Sequence, residues 1–79
     1  MAALRTRFGK RLRTLRRERD FTQERFAELA EISVDFLSLV ERGINGPSFD
    51  TLDRMAKALR LPVRDLFEFS EKRKPKAPK

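Results

Sequence analysis

The 79-residue chain carries 19 Lys and Arg against 12 Asp and Glu, a net charge of +7, with 39% hydrophobic and 39% charged residues and neither cysteine nor histidine. That length makes one small domain, and the missing residue types exclude disulfides, thiolate nucleophiles, Cys/His zinc sites and the commonest general base. No apolar run has the length of a membrane span or a signal-peptide core, so a soluble, cytoplasmic chain is expected.

Residues 1–20 hold eight cations and two acids, residues 21–69 six and nine, and residues 70–79 five and one. Basic ends around a mildly acidic middle point to a polyanionic partner. Leu4, Phe8, Leu12 and Leu15 recur at helical spacing and predict a first helix over residues 3–18. Thr22 is the expected N-cap of a second helix, Gln23 to Ala30, with Phe21 and Phe26 as a hydrophobic staple. Arg25 stands where a full capping box needs Glu or Gln. Ser33, with Ile32 and Leu37 as staple, opens a third helix across Val34 to Arg42, and Gly43 supplies its stop. "INGP" is turn chemistry. Ser48 caps a fourth helix, with Asp50 in its first turn and Leu52, Met55, Ala56 and Leu59 inward. Pro62 suits the first turn of a short fifth helix, Val63 to about Phe69. The division is a folded domain over residues 1–69 and a basic tail, "SEKRKPKAPK", over residues 70–79. With two prolines and no large apolar anchor, the tail is expected to be disordered.

Two short helices joined by a brief turn within residues 22–42 form a helix-turn-helix arrangement. "TQERFAELAEISVDFLSLVERG" followed by "PSFDTLDRMAKALRLPVRDLF" resembles the phage repressor/Cro family of DNA-binding regulators, also called XRE. The resemblance rests on Gln23, Ala27, Leu37, Val40, Glu41, Gly43 and Pro47 taken together. It implies an all-α fold, a compact five-helix bundle of the lambda-repressor-like type with a central helix-turn-helix. It also implies that Gln23 meets a DNA phosphate, that Ala27 lets the second and third helices approach, and that Leu37 and Val40 are core. Glu31 departs from the family, which has a glycine of positive φ in this turn; a side chain there costs on the order of 1 kcal/mol. Spacing alone puts Arg16 and Glu41 at the edges of apolar stripes with their charged ends reaching water. The resemblance implies instead an ion pair between the first and third helices.

The third helix holds one cation, Arg42, and two acids, Asp35 and Glu41, so other elements must supply most of the hold on phosphate. The expected contacts are the amide ends of the second, third and fourth helices, with Gln23, Ser33, Arg42, Asn45 and Ser48 near them. First-helix arginines and the tail are either further phosphate contacts or ordinary solvated surface. Val34, Asp35, Ser38, Leu39 and Arg42 point away from Leu37 and Val40. Val34 and Leu39 suit thymine methyls, and Ser38 can bond to several bases. Asp35 suits either a cytosine amino group or the helix dipole, and Phe36 falls between packing and the DNA backbone. The expected function is a homodimeric transcriptional regulator on a near-palindromic double-stranded operator, with Val63, Leu66, Phe67 and Phe69 at the dimer interface. Small size gives a likeness to restriction–modification controller proteins and stand-alone phage-type repressors. The competing expectation is an antitoxin on the same fold that neutralises a partner protein. No cofactor, metal, membrane partner or enzymatic activity is expected.

Overall fold

The computed structural model describes residues 3–69. Four α-helices follow in order: α1 (Leu4–Glu18), α2 (Gln23–Ala30), α3 (Val34–Glu41) and α4 (Phe49–Leu59), then a 3-10 helix, Val63–Phe67. The five-helix expectation is thereby corrected. Five residues lie between extended Pro62 and extended Glu68, and the Asp65 amide donates to the Pro62 carbonyl at 3.0 Å. So short a segment takes the tighter i→i+3 form. Arg42, placed inside the third helix by its pattern, is that helix's C-cap. The tail, residues 70–79, lies outside the described residues.

Three of the helices, α2, α3 and α4, are each capped by a single hydroxyl. Thr22 accepts from the Arg25 amide at 3.0 Å, Ser33 from Phe36 at 3.0 Å and Ser48 from Thr51 at 3.1 Å, which satisfies one orphan donor at the start of α2, α3 and α4. The helix ends are less conventional. Asp20, Glu31 and Arg60 take left-handed backbone angles near φ 60° without being glycine. In each case the next residue sends its amide five positions back: Phe21 to Arg16, Ile32 to Ala27 and Leu61 to Ala56, at 3.0–3.1 Å. Phe21, Ile32 and Leu61 then pack against the core. This apolar contact after a left-handed residue offsets the steric cost of a side chain at positive φ.

The core takes Phe8, Leu12 and Leu15 from α1, Phe26, Ala27 and Ala30 from α2, and Leu37 and Val40 from α3. Leu52, Met55, Ala56 and Leu59 of α4 and Leu66 of the 3-10 helix complete it. α2 packs on α3 and α4, while α1 packs on α3 and the 3-10 helix. The tightest approach is at Gly9, where a Cβ would collide with the Val40 carbonyl oxygen and stand 2.7 Å from that of Glu41. Gly43, at φ 81°, lets the chain leave α3 against the backbone of Thr6.

Arginine ties the bundle together. Arg19 donates twice to the Leu59 carbonyl, at 2.9 and 2.6 Å. Arg54 reaches Ala30 at 2.8 Å, Arg11 reaches Asp65 at 3.0 Å, and Arg5 reaches Ile44 at 3.3 Å. Leu59 and Ala30 are the last residues of α4 and α2, where backbone acceptors are unpaired and the helix dipole is negative, while Asp65 lies within the 3-10 helix and Ile44 in the α3–α4 loop.

Two substitutions separate these effects. Alanine is favoured over glycine in a helix interior by about 1 kcal/mol, yet Gly9→Ala is expected to destabilise by about 1–3 kcal/mol through forced separation of α1 from α3. Glu31→Gly is expected to stabilise by about 1 kcal/mol by removing a side chain from a left-handed position. Urea midpoints at unchanged slope measure both.

Candidate nucleic-acid interface

The turn between α2 and α3 sets the pose of α3. Glu31 reverses the chain in the left-handed region, Ile32 returns to the core, and Ser33 starts α3. Leu37 and Val40 are completely buried. Asp35 and Arg42 are exposed, while Ser38 and Leu39 are half-buried. Val34 and Phe36 are also half-buried and pack against the core, so only part of each remains to face a ligand. The Arg42 guanidinium makes no hydrogen bond or ion pair among the described residues.

Three helices meet at the Glu41 carboxylate. Arg16 donates from Nε to Glu41 Oε2 at 2.6 Å and from Nη2 to Oε1 at 3.1 Å. Arg16 Nη1 also donates to the Phe21 carbonyl at 2.8 Å. Gln23, at the start of α2, donates from Nε2 to Glu41 Oε1 at 3.1 Å. Arg13 Nε stands 3.9 Å from the same oxygen. Arg16 and Glu41 are 8% and 4% exposed, so both charges are withdrawn from water. No buried side-chain nitrogen or oxygen among the described residues lacks a partner. Such a pair, bidentate and fully bonded, fixes geometry more than it adds net stability.

The remaining site residues fall into distinct environments. The Ser33 and Ser48 hydroxyls are engaged as caps, and Ser48 also bonds to the Thr51 hydroxyl at 3.0 Å. Their helices therefore present backbone amides rather than free side chains to an anion. Gln23 has one donor on Glu41, which orients its amide across the start of α2. Asn45 is half-buried, with its backbone amide 3.4 Å from the Leu39 carbonyl. Among the residues read as a dimer surface, Val63 and Phe67 are 38% and 37% exposed and Phe69 is half-buried. Leu66 has no exposure at all. It fills its own subunit's core because the 3-10 turn points it at α1 and α4, so it is corrected from interface to core. Phe67 instead packs beside Phe8 at 5.2 Å and Phe69 at 6.2 Å between ring centres, and Arg7 covers Phe69 at 5.1 Å.

Spacing did not single out Phe49, which is 88% exposed. It lies three residues before Leu52 and seven before Ala56, a spacing that belongs to the inner face. As the first residue of α4, however, it overhangs the end of the core. No helix among the described residues is long and apolar enough to cross a membrane, and no group of acidic residues there is arranged to hold a metal.

Glu41→Ala leaves the Arg16 guanidinium buried without its carboxylate and is expected to cost about 3–5 kcal/mol. Replacing Arg16 and Glu41 together by methionine should recover most of that loss, as read by thermal or urea unfolding. Equal losses in the single and double variants would show that the pair's partners, not its charge balance, hold the helices.

The helix-turn-helix domain family matches residues 7–69. The HTH-type transcriptional regulator DdrOP3 of Deinococcus deserti is 45% identical over 58 residues, covering 73% of this chain and 45% of that protein. Control protein C.MunI of a Mycoplasma species is 32% identical over 73 residues, covering 91% of this chain and 99% of that protein. The crystal structure of the restriction-modification controller protein C.AhdI from Aeromonas hydrophila superposes with a TM-score of 0.78 at 35% identity, covering 80% of this chain and 96% of that one. The chain thus spans less than half the length of the Deinococcus regulator and nearly all of the Mycoplasma control protein. Together with the α2–turn–α3 geometry, these likenesses show that the chain belongs to the helix-turn-helix family of DNA-binding transcriptional regulators.

Proposed function

We propose that the chain acts as a homodimer that regulates transcription by binding a near-palindromic operator in double-stranded DNA. The observation that carries this reading is the outer face of α3. Asp35, Ser38, Leu39 and Arg42 all retain exposure while Leu37, Val40 and Glu41 lock the opposite face into the bundle. A short helix held rigidly on one side and open on the other can lie in the major groove.

The hold on DNA and the choice of sequence come from different groups. Backbone amides at the starts of α2, α3 and α4, aided by Arg42 and Asn45, bind phosphates. Leu39, with the exposed part of Val34, contacts thymine methyls, and Ser38 adds an adaptable hydrogen bond. Asp35 lies in the first turn of α3, where its charge favours the helix dipole. Leu39 and Arg42 therefore matter more to binding than Asp35. This division lets a helix with one cation serve as the reading element. Val63, Phe67 and Phe69 contribute apolar surface to the two-fold contact, without Leu66.

Selection of bound sequences from random duplex DNA, followed by footprinting, tests this function. It should return an inverted repeat whose half-sites are centred about 34 Å apart, one helical turn. Enrichment of no common sequence would refute the reading. On the selected operator, Leu39→Ala should reduce the preference for thymine over uracil at one position in each half-site. Arg42→Ala should weaken binding to all sequences and lower the slope of log affinity against log salt by about 0.9 for each phosphate no longer neutralised. Asp35→Asn should leave base preference unchanged; a shift of about 1–3 kcal/mol at one base pair would instead assign it to a cytosine.

A further inference from the structure

We propose that Arg54 is a positioning residue for DNA reading, passing the phosphate contact at the start of α4 to the turn that aims α3. The inference rests on the DNA-binding reading of α3 and α4 and adds to it a residue that meets neither base nor phosphate. Three side chains form a continuous run of bonds. The Ser48 hydroxyl accepts from the Thr51 amide at 3.1 Å and donates to Thr51 Oγ1 at 3.0 Å. Arg54 Nη2 donates to the same Thr51 oxygen at 3.2 Å, and Arg54 Nε donates to the Ala30 carbonyl at 2.8 Å. Ala30 is the last residue of α2, and the left-handed Glu31 follows it. The Glu31 carboxylate stands 3.8 Å from Arg54 Nε but is mostly in water, so it adds little to this tie. Thr51 is 7% exposed, which shields the middle of the run from competing water.

The direction of a helix is fixed only when both its ends are held. Glu41 holds the last residue of α3, while its first residue, Val34, hangs from the turn. The Ile32 amide returns to the Ala27 carbonyl, so the turn moves with α2. α2 and α4 meet through apolar residues of the core. Such contacts are non-directional and set a separation more firmly than a register along the axes. Arg54 supplies the directional bond: its planar fork carries one donor to each helix, to Ala30 on α2 and to Thr51 on α4. A phosphate held by the amides at the start of α4 is thereby linked, through Ser48, Thr51 and Arg54, to the point from which α3 departs. Phosphate contacts set the register in which base edges are read, and Arg54 carries that register to the reading helix.

Arg54→Met keeps an unbranched apolar stem and removes both bonds, and it tests this in the full chain. Binding is measured to the operator selected from random duplexes and to a scrambled duplex of the same composition, with circular dichroism verifying the fold. Operator affinity should fall about tenfold, while affinity for the scrambled duplex changes little. The slope of log affinity against log salt should stay that of the wild type, because no phosphate contact is lost. Thr51→Val breaks the run at its middle and should cost a similar factor. The double variant should then lose no more than either single one. A merely structural Arg54 would leave the ratio of the two affinities unchanged, and that result overturns the proposal. A slope lower by about 0.9 would make Arg54 a phosphate ligand and overturn it as well. So would losses that multiply in the double variant, since the two residues would then act separately. A wild-type chain that binds both duplexes equally refutes DNA reading by α3 and the proposal with it.

Discussion

Glu41 ends α3 at the point where α1 and the start of α2 also arrive, and its two oxygens are shared between Arg16 and Gln23. The backbone makes the same junction. Gly9 admits the Val40 and Glu41 carbonyls against α1 at a distance no side chain would allow. Carboxylate and glycine act together: close approach brings Arg16 within reach, and the bidentate bond fixes the rotation of α3 once it has docked. The outward set Asp35, Ser38, Leu39 and Arg42 inherits its orientation from that rotation. A twist of α3 by one residue's turn would present buried Leu37 or Val40 to the solvent.

The basic first helix takes a different meaning in this light. Arg5, Arg11, Arg16 and Arg19 all donate to acceptors in other segments. Guanidinium groups suit this work because they stay charged and offer several donors in a fixed plane. A chain with a core this small gains from ties that close the ends of its helices, where four carbonyls would otherwise lack partners. Much of the positive charge that suggests a polyanion in composition is therefore engaged within the fold. The charge that remains free on α3 is Arg42.

The sequence made some of this legible and hid the rest for identifiable reasons. Thr22, Ser33 and Ser48 were readable as N-caps because a hydroxyl before an apolar run is a local signal with one geometric meaning. Gly43 was readable because its conformation is the one glycine favours. The ends at Asp20, Glu31 and Arg60 are harder: their left-handed backbones are held by the apolar residue that follows, and only Glu31 was marked, through a family departure. Leu66, expected at the surface with Phe67, is buried instead because a 3-10 turn advances about three residues per turn, so a pattern read at α-helical spacing misplaces its faces. Gly9 left no trace, since a glycine inside an apolar stripe reads as a weak helix former until the partner backbone is located. Phe49 was not singled out, because periodicity locates a face and cannot say where the core ends along the axis.

The buried junction at Glu41 holds α3 in the pose from which we propose that it reads DNA. The Arg16 Nε–H, bonded 2.6 Å from Glu41, reports on that junction through its nitrogen-15 resonance and its exchange with solvent. A resolved signal is expected, exchanging far more slowly than that of exposed Arg42 and persisting when operator DNA is added. An Arg16 signal that exchanges as fast as Arg42, or that is lost on DNA binding, would contradict it.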